Sequence, residues 1–362
     1  MTTEALLAPP AWTAIAAWMA GASLLSLERR GPSVIALVVL AALAALAGLG
    51  GGGEPYRAPL VIGLVVAAMA RDSSETLHAE CAIKLLWVMG GAMALSFAGL
   101  QLLTLATGTP VVQEQWAVLR LGLDPRFLWS TALPLSLLVG LVLLGGAPFH
   151  FWIADVFQGV RPWLAPLGVA ALQLAGASWL LARLEGVSAF QPAALLSGSL
   201  LWIAALVAFV GGALTLLVQR RPERRAGTLA SLNGALLLAA LATGRPPNAQ
   251  AIAAWGAHLT LALTGASTLA RFLPVSSAGG AATLGAPLFR RHPGATVVGL
   301  FALFSLAGVP GTPGSALWFD TARALAESRE VALLVVVAAA WLAAFTVAVR
   351  QMREAVGVPA PA

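Results

Sequence analysis

Apolar runs long enough to cross a bilayer follow one another along almost the whole chain, and no other feature restricts its fold as much. They cover residues 10–27, 33–49, 58–70, 81–107, 127–149, 163–182, 195–218, 226–243, 249–270, 295–318 and 331–349, eleven in all. Hydrocarbon offers no partner for backbone N–H and C=O groups, so such runs satisfy themselves as α-helices. With 59% hydrophobic and 10% charged residues the chain lies outside the range of soluble domains. The predicted fold class is an all-α polytopic membrane protein, one transmembrane domain over residues 1–362 with no soluble module. The first run is followed by Glu28, Arg29 and Arg30 rather than a small-residue cleavage site, and reads as a retained helix. The glycine-rich stretch 50–57 and the Gly, Ser and Ala-rich stretch 274–292 read as connections.

The net charge of +6 would point to nucleic acid in a soluble protein. Here the arginines lie between apolar runs, where they set orientation, so no nucleic-acid partner is expected and the lipid bilayer is. Placing Arg220, Arg221, Arg224 and Arg225 on the cytoplasmic side puts thirteen of the twenty arginines there by alternation. The N-terminus is then outside and the C-terminus cytoplasmic, in a multi-pass protein of a bacterial-type inner membrane. One cysteine, Cys81, excludes an internal disulfide, and no His/Cys cluster has metal-ligand spacing. No cofactor is expected in this chain, and no nucleophile with its base or phosphate loop appears.

Two of the runs are interrupted. In 145–159, GGAPFHFWIADVFQG, Pro148 removes a backbone donor and Gly145 and Gly146 weaken the helix before it. In 308–314, GVPGTPG, Pro310, Pro313 and three glycines stop a second helix. Irregular backbone at membrane depth is buried in protein or lines a wet cavity, and paired interruptions point to a transport site. The plain alternative is a kinked helix with glycines for close packing.

The segment PFHFWIADVFQG, with AIKLL around Lys84, resembles the antiporter-like membrane subunits of respiratory complex I, nearest to subunit N of bacterial NADH:quinone oxidoreductase. The resemblance runs from about Glu80 to Met352, leaving residues 8–70 as divergent N-terminal helices and 80–352 as the antiporter-like core. It implies inverted repeats, each with a broken helix, and partners among other antiporter-like and redox subunits. Family members have about fourteen helices, so the architecture here is a reduced one.

Lys84 is the only lysine and opens the run 81–107. Desolvated, an amine can exchange protons, a role closed to arginine. Its alternatives are an i,i+4 ion pair with Glu80 and snorkelling to the interface. The resemblance adds that the matching sixth-helix lysine belongs to a proton path. His150 can shuttle protons or hydrogen-bond the broken backbone, and His258, in mid-run, can be a relay or a neutral core histidine. Asp155 and Gln158 are read as structural, capping the next short helix or holding the break.

Several matched positions depart from the family. Its seventh-helix lysine falls on Leu143, its eighth-helix lysine on Gln173 and its twelfth-helix lysine near Trp318, while Asp320 lies two residues on. The run 58–70 holds no acid where the family has a fifth-helix glutamate. The expected function is a non-redox transmembrane subunit of a complex I-like NADH:quinone oxidoreductase, contributing to proton translocation or its scaffold, with pump lysines largely lost. The alternatives are a structural subunit of an Mrp-type assembly and a stand-alone small-ion transporter.

Overall fold

The computed structural model describes residues 38–41, 43, 57–71, 76–122, 126–146, 148–244, 247–273 and 287–357. The run 10–27, most of 33–49, and the stretches 50–56 and 274–286 lie outside the described residues. Among the described residues all regular structure is helical. The elements are α1 (Arg57–Arg71), α2 (Thr76–Thr107), α3 (Val112–Arg120), α4 (Arg126–Leu143), α5 (Phe151–Gly159), α6 (Leu164–Leu184), α7 (Gln191–Val218), α8 (Pro222–Ala242), α9 (Ala249–Phe272), α10 (Leu288–Arg291), α11 (Pro293–Leu306), α12 (Pro313–Glu327) and α13 (Val331–Val356).

Nine of the eleven apolar runs are therefore helices at the expected places. Five helices within the described residues are long and apolar enough to cross a membrane, and α4 and α11 are shorter apolar helices. The count of eleven spans is not reproduced, because 127–149 and 295–318 each split and two runs lie outside the described residues. Both splits fall at the expected interruptions.

Local chemistry sets most helix ends. Pro222 and Pro313 sit in the first turns of α8 and α12, where a missing N–H costs nothing. Asn248 caps α9, its side chain accepting from the Ala251 amide at 2.8 Å. Gly357, in left-handed conformation at φ 81°, ends α13. Within α4, Pro134 gives the hydrogen-bond ladder no N–H, and further along the helix the Ser96 hydroxyl of α2 donates to Leu135 O at 3.0 Å and accepts from Val139 N at 2.9 Å.

The bundle is built around α6 and α8, whose residues are almost all buried. Helix α8 touches α5, α7, α9, α11, α12 and α13, while α6 packs on α1, α4 and α9. Helices α2, α7 and α13 are far more exposed along their apolar sides, as lipid-facing helices are. One end of the bundle gathers the basic residues: Arg224 bonds Gln158, Arg225 pairs with Glu354 at 3.0 Å, and Glu354 also pairs with Arg350.

Candidate functional site

Two interrupted helices meet α8 from different sides, and their ends have the same construction. After α4, Gly145 takes φ 75°, its amide donates to Val142 O and the Gly146 amide donates to Leu141 O. After α11, Gly308 takes φ 69°, its amide donates to Ser305 O and the Val309 amide to Phe304 O. Both are Schellman ends, which need a residue tolerant of positive φ. The first helix thus stops at the glycines, before Pro148, which lies in the following turn rather than breaking the helix itself. At the second break Pro310 is likewise in the turn, and Pro313 begins the next helix.

Carbonyls at each end are held by side chains from this same chain. At the first, Trp152 Nε1 donates to Val142 O at 2.8 Å, and Gln173 Nε2 donates to Leu144 O and to Ala230 O, both at 3.1 Å. At the second, Asn233 Nδ2 donates to Leu306 O at 3.0 Å and Leu229 O at 2.9 Å, with Trp318 Nε1 on Leu306 O at 3.4 Å and Trp341 Nε1 on Gly308 O at 3.0 Å. Gln173 and Asn233 are completely buried and tie the two breaks to successive carbonyls of α8. Each uses its amide N–H groups fully and leaves its oxygen without a partner among the described residues. Leu143, at the end of α4, is also completely buried.

The second break alone has an imidazole bonded to it. His258 Nε2 lies 2.8 Å from Ser305 Oγ, and that hydroxyl also accepts the Gly314 amide at 3.0 Å. His150, at the start of α5, makes no ring hydrogen bond to the broken backbone; Ser231 Oγ reaches its carbonyl instead at 3.3 Å. The alternative role of backbone bonding therefore falls to Ser231 rather than to the His150 ring.

Glu80 and Lys84 form the i,i+4 ion pair, at 2.5 Å, with side chains 55% and 63% exposed. The amine is not buried by other residues of this chain. The pair borders a surface cleft of about 410 Å3 that also includes Asp155, Gln158 and Arg224. Asp155 pairs with Arg224 at 3.1 Å, and Arg224 Nη1 donates to Gln158 Oε1 at 2.7 Å. These residues, one turn apart on α5, clamp it to α8; neither caps α5, which has no side-chain cap. Asp320 is exposed on α12, away from the buried face that carries Trp318.

The sequence-level candidates thus fall in three places: Glu80 and Lys84 at the cleft, His150 at the first break and His258 at the second. No hydrogen bond joins one place to another among the described residues. Asn233, Trp341 and Arg225 were not anticipated. Arg225 is 1% exposed, with its Nε donating to Gln219 O and its Nη1 to Glu354. Nothing distinguishes it in sequence from its exposed neighbours Arg220 and Arg221. Among the described residues there is no group of His, Cys, Asp and Glu suited to a metal ion.

No protein-family model matches the chain. Among curated proteins it is similar to NADH-quinone oxidoreductase subunit N of Gemmatimonas aurantiaca, 32% identical over 213 residues, covering 56% of this chain and 38% of that protein. Subunit N 3 of Streptomyces griseus is 31% identical over 206 residues, covering 55% and 36%. The chain thus matches well under half the length of either relative. Among solved structures, a chain of respiratory complex I from Thermus thermophilus superposes with a TM-score of 0.69 at 19% identity, covering 98% of this chain and 87% of that one. A chain of the archaeal membrane-bound sulfane sulfur reductase gives 0.72 at 16% identity, covering 89% and 65%. A chain of the Mrp complex from Dietzia gives 0.70 at 15%, covering 97% and 67%. In sequence the chain is similar to part of subunit N, and its fold is similar to that of chains of respiratory complex I and of the Mrp complex, in line with the resemblance that the PFHFW segment carries.

Proposed function

We propose that the chain is a non-redox transmembrane subunit of a complex I-like NADH:quinone oxidoreductase, and that it acts there as a scaffold whose pump lysines are largely lost. The observation carrying this reading is Gln173, a neutral amide holding Leu144 O and Ala230 O at the position matched to a family lysine. A relay passes charge only through groups that change protonation or through ordered water. Between the two breaks lie amides, indoles and Leu143, none of which titrates near neutral pH. The exposed Glu80–Lys84 pair supports a docking surface more than an internal relay. The likeness to subunit N supports redox and antiporter-like partners, and the arginine-rich end supports its placement in the cytoplasm.

Mass spectrometry of what co-purifies with the tagged chain in mild detergent tests the assembly. Flavin or iron–sulfur subunits are the expected result; antiporter-like subunits alone would move the reading to an Mrp-type assembly, and no partner would leave a stand-alone transporter. Within the intact complex, Lys84→Met is expected to leave the proton-to-electron ratio unchanged, whereas deletion of the chain dissociates its neighbours. A lowered ratio with assembly intact would return Lys84 to the proton path. Lysine introduced at both Leu143 and Gln173 is expected to create no transport.

A further inference from the structure

A groove of about 680 Å3 runs between α9 and α11, from Arg271 at the basic end to His258 and Ser305 at the second break. Its size lies within the roughly 300–1,000 Å3 of ligand sites. Thirteen residues of helix separate Arg271 from His258, about 20 Å at 1.5 Å per residue. A groove of that length accommodates an extended hydrocarbon chain lying parallel to the two helices.

We propose that this groove binds an anionic diacyl phospholipid, one acyl tail lying along it and the phosphate held at its mouth. The walls are mainly apolar, and Val298 and Phe301 on the rim are more than half exposed, so the groove opens sideways toward lipid. A file of water would need two to four polar partners for each molecule. Between Arg271 and His258 the groove offers the hydroxyls of Thr264 and Thr268, and Thr268 already donates to Thr264 O at 2.9 Å. The mouth is basic. Arg271 lines it, and the ring contact of Phe272 with His292, 5.4 Å between centroids, brings α10 with Arg290 and Arg291 alongside. Basic pockets between helices near the membrane surface recognise phosphate headgroups. The tail end lies beside the His258–Ser305 contact, where it excludes water from the second break.

The inference stands apart from the proposed assembly, because the test reads lipid on the chain itself. The full chain, extracted in mild detergent, is analysed by native mass spectrometry and by thermal unfolding with added phosphatidylglycerol, phosphatidylcholine or inorganic phosphate. Retained phosphatidylglycerol, with a larger rise in midpoint than either other addition gives, is expected. Arg290→Gln with Arg291→Gln is expected to weaken the preference for phosphatidylglycerol about tenfold or more while phosphatidylcholine binding is kept. Thr268→Trp, which fills the groove, is expected to abolish retention of both lipids with helix content unchanged; Ala295→Trp at the mouth serves if that variant does not fold. Three results would each overturn the proposal: equal stabilisation by inorganic phosphate, lipid retention unaffected by filling the groove, or a partner helix cross-linked along α9 in intact membranes.

Discussion

The two helix breaks share a backbone motif and differ in what surrounds it. At Gly145 each of two carbonyls takes one side-chain donor, Trp152 on Val142 O and Gln173 on Leu144 O. At Gly308 the closure is doubled: Leu306 O receives both Asn233 and Trp318, Trp341 covers Gly308 O, and Ser305 brings in His258. Position for position from the glycine, Val142 stands where Ser305 stands in the second break. That hydroxyl bonds an imidazole to the second break, whereas the His150 ring beside the first makes no bond to the broken backbone. The first break has one side-chain donor on each closed carbonyl, and the second has two on Leu306 O and keeps an imidazole contact.

Paired substitutions test that contrast, beginning with the glycines on which both joints close. A Cβ on Gly234 would overlap Leu144 O, and one on Gly314 would overlap Ser305 O. Gly234→Ala and Gly314→Ala are each expected to cost about 3 kcal/mol or more, read as the thermal unfolding of the detergent-solubilised chain. If either were neutral, that break would not be close-packed against its neighbour. The amides come next. Gln173→Leu leaves Leu144 O without its donor and is expected to cost about 2–3 kcal/mol; Asn233→Leu leaves Trp318 on Leu306 O and is expected to cost about 1 kcal/mol. Equal losses would remove the claim of redundancy. The indoles give the smallest pair. Trp152→Phe is expected to cost about 1 kcal/mol beyond lost packing, and Trp318→Phe less, since its bond is longer and shared. A reversed order in unfolding midpoints would place the weaker joint at Gly308.

Much of the fold was legible because the apolar runs are long and lipid leaves the backbone few forms. Short helices escaped that signal. Helix α3, Val112–Arg120, buries Gln115 and Trp116 but carries Gln113, Glu114 and Arg120, so no apolar run marks it. At the breaks the glycines and prolines were visible, though their division of labour was not: Gly145 ends α4 and Pro313 starts α12. Gln173 drew notice only through the family match. Its partners are the carbonyls of Leu144 and Ala230, and a carbonyl that accepts a bond has no letter of its own. Arg224 and Arg225 show the same limit. They are identical in type and adjacent, yet one clamps α5 at the surface and the other is buried against α13.

The place of α8 in the chain, after one break and before the other, has a consequence for biogenesis. When α4 and α5 enter the bilayer from a ribosome, Trp152 can close Val142 O at once, being ten residues away. The Gln173 link to Ala230 must wait until α8 has been synthesised and inserted. The second break is made later, against an α8 already in place with Asn233 ready for Leu306 O. Nascent chains halted before residue 222 should therefore be more open to protease or insertase at the first joint than chains halted just after residue 242, whereas at the second joint only the Gly308 O contact waits for a later helix, α13 with Trp341.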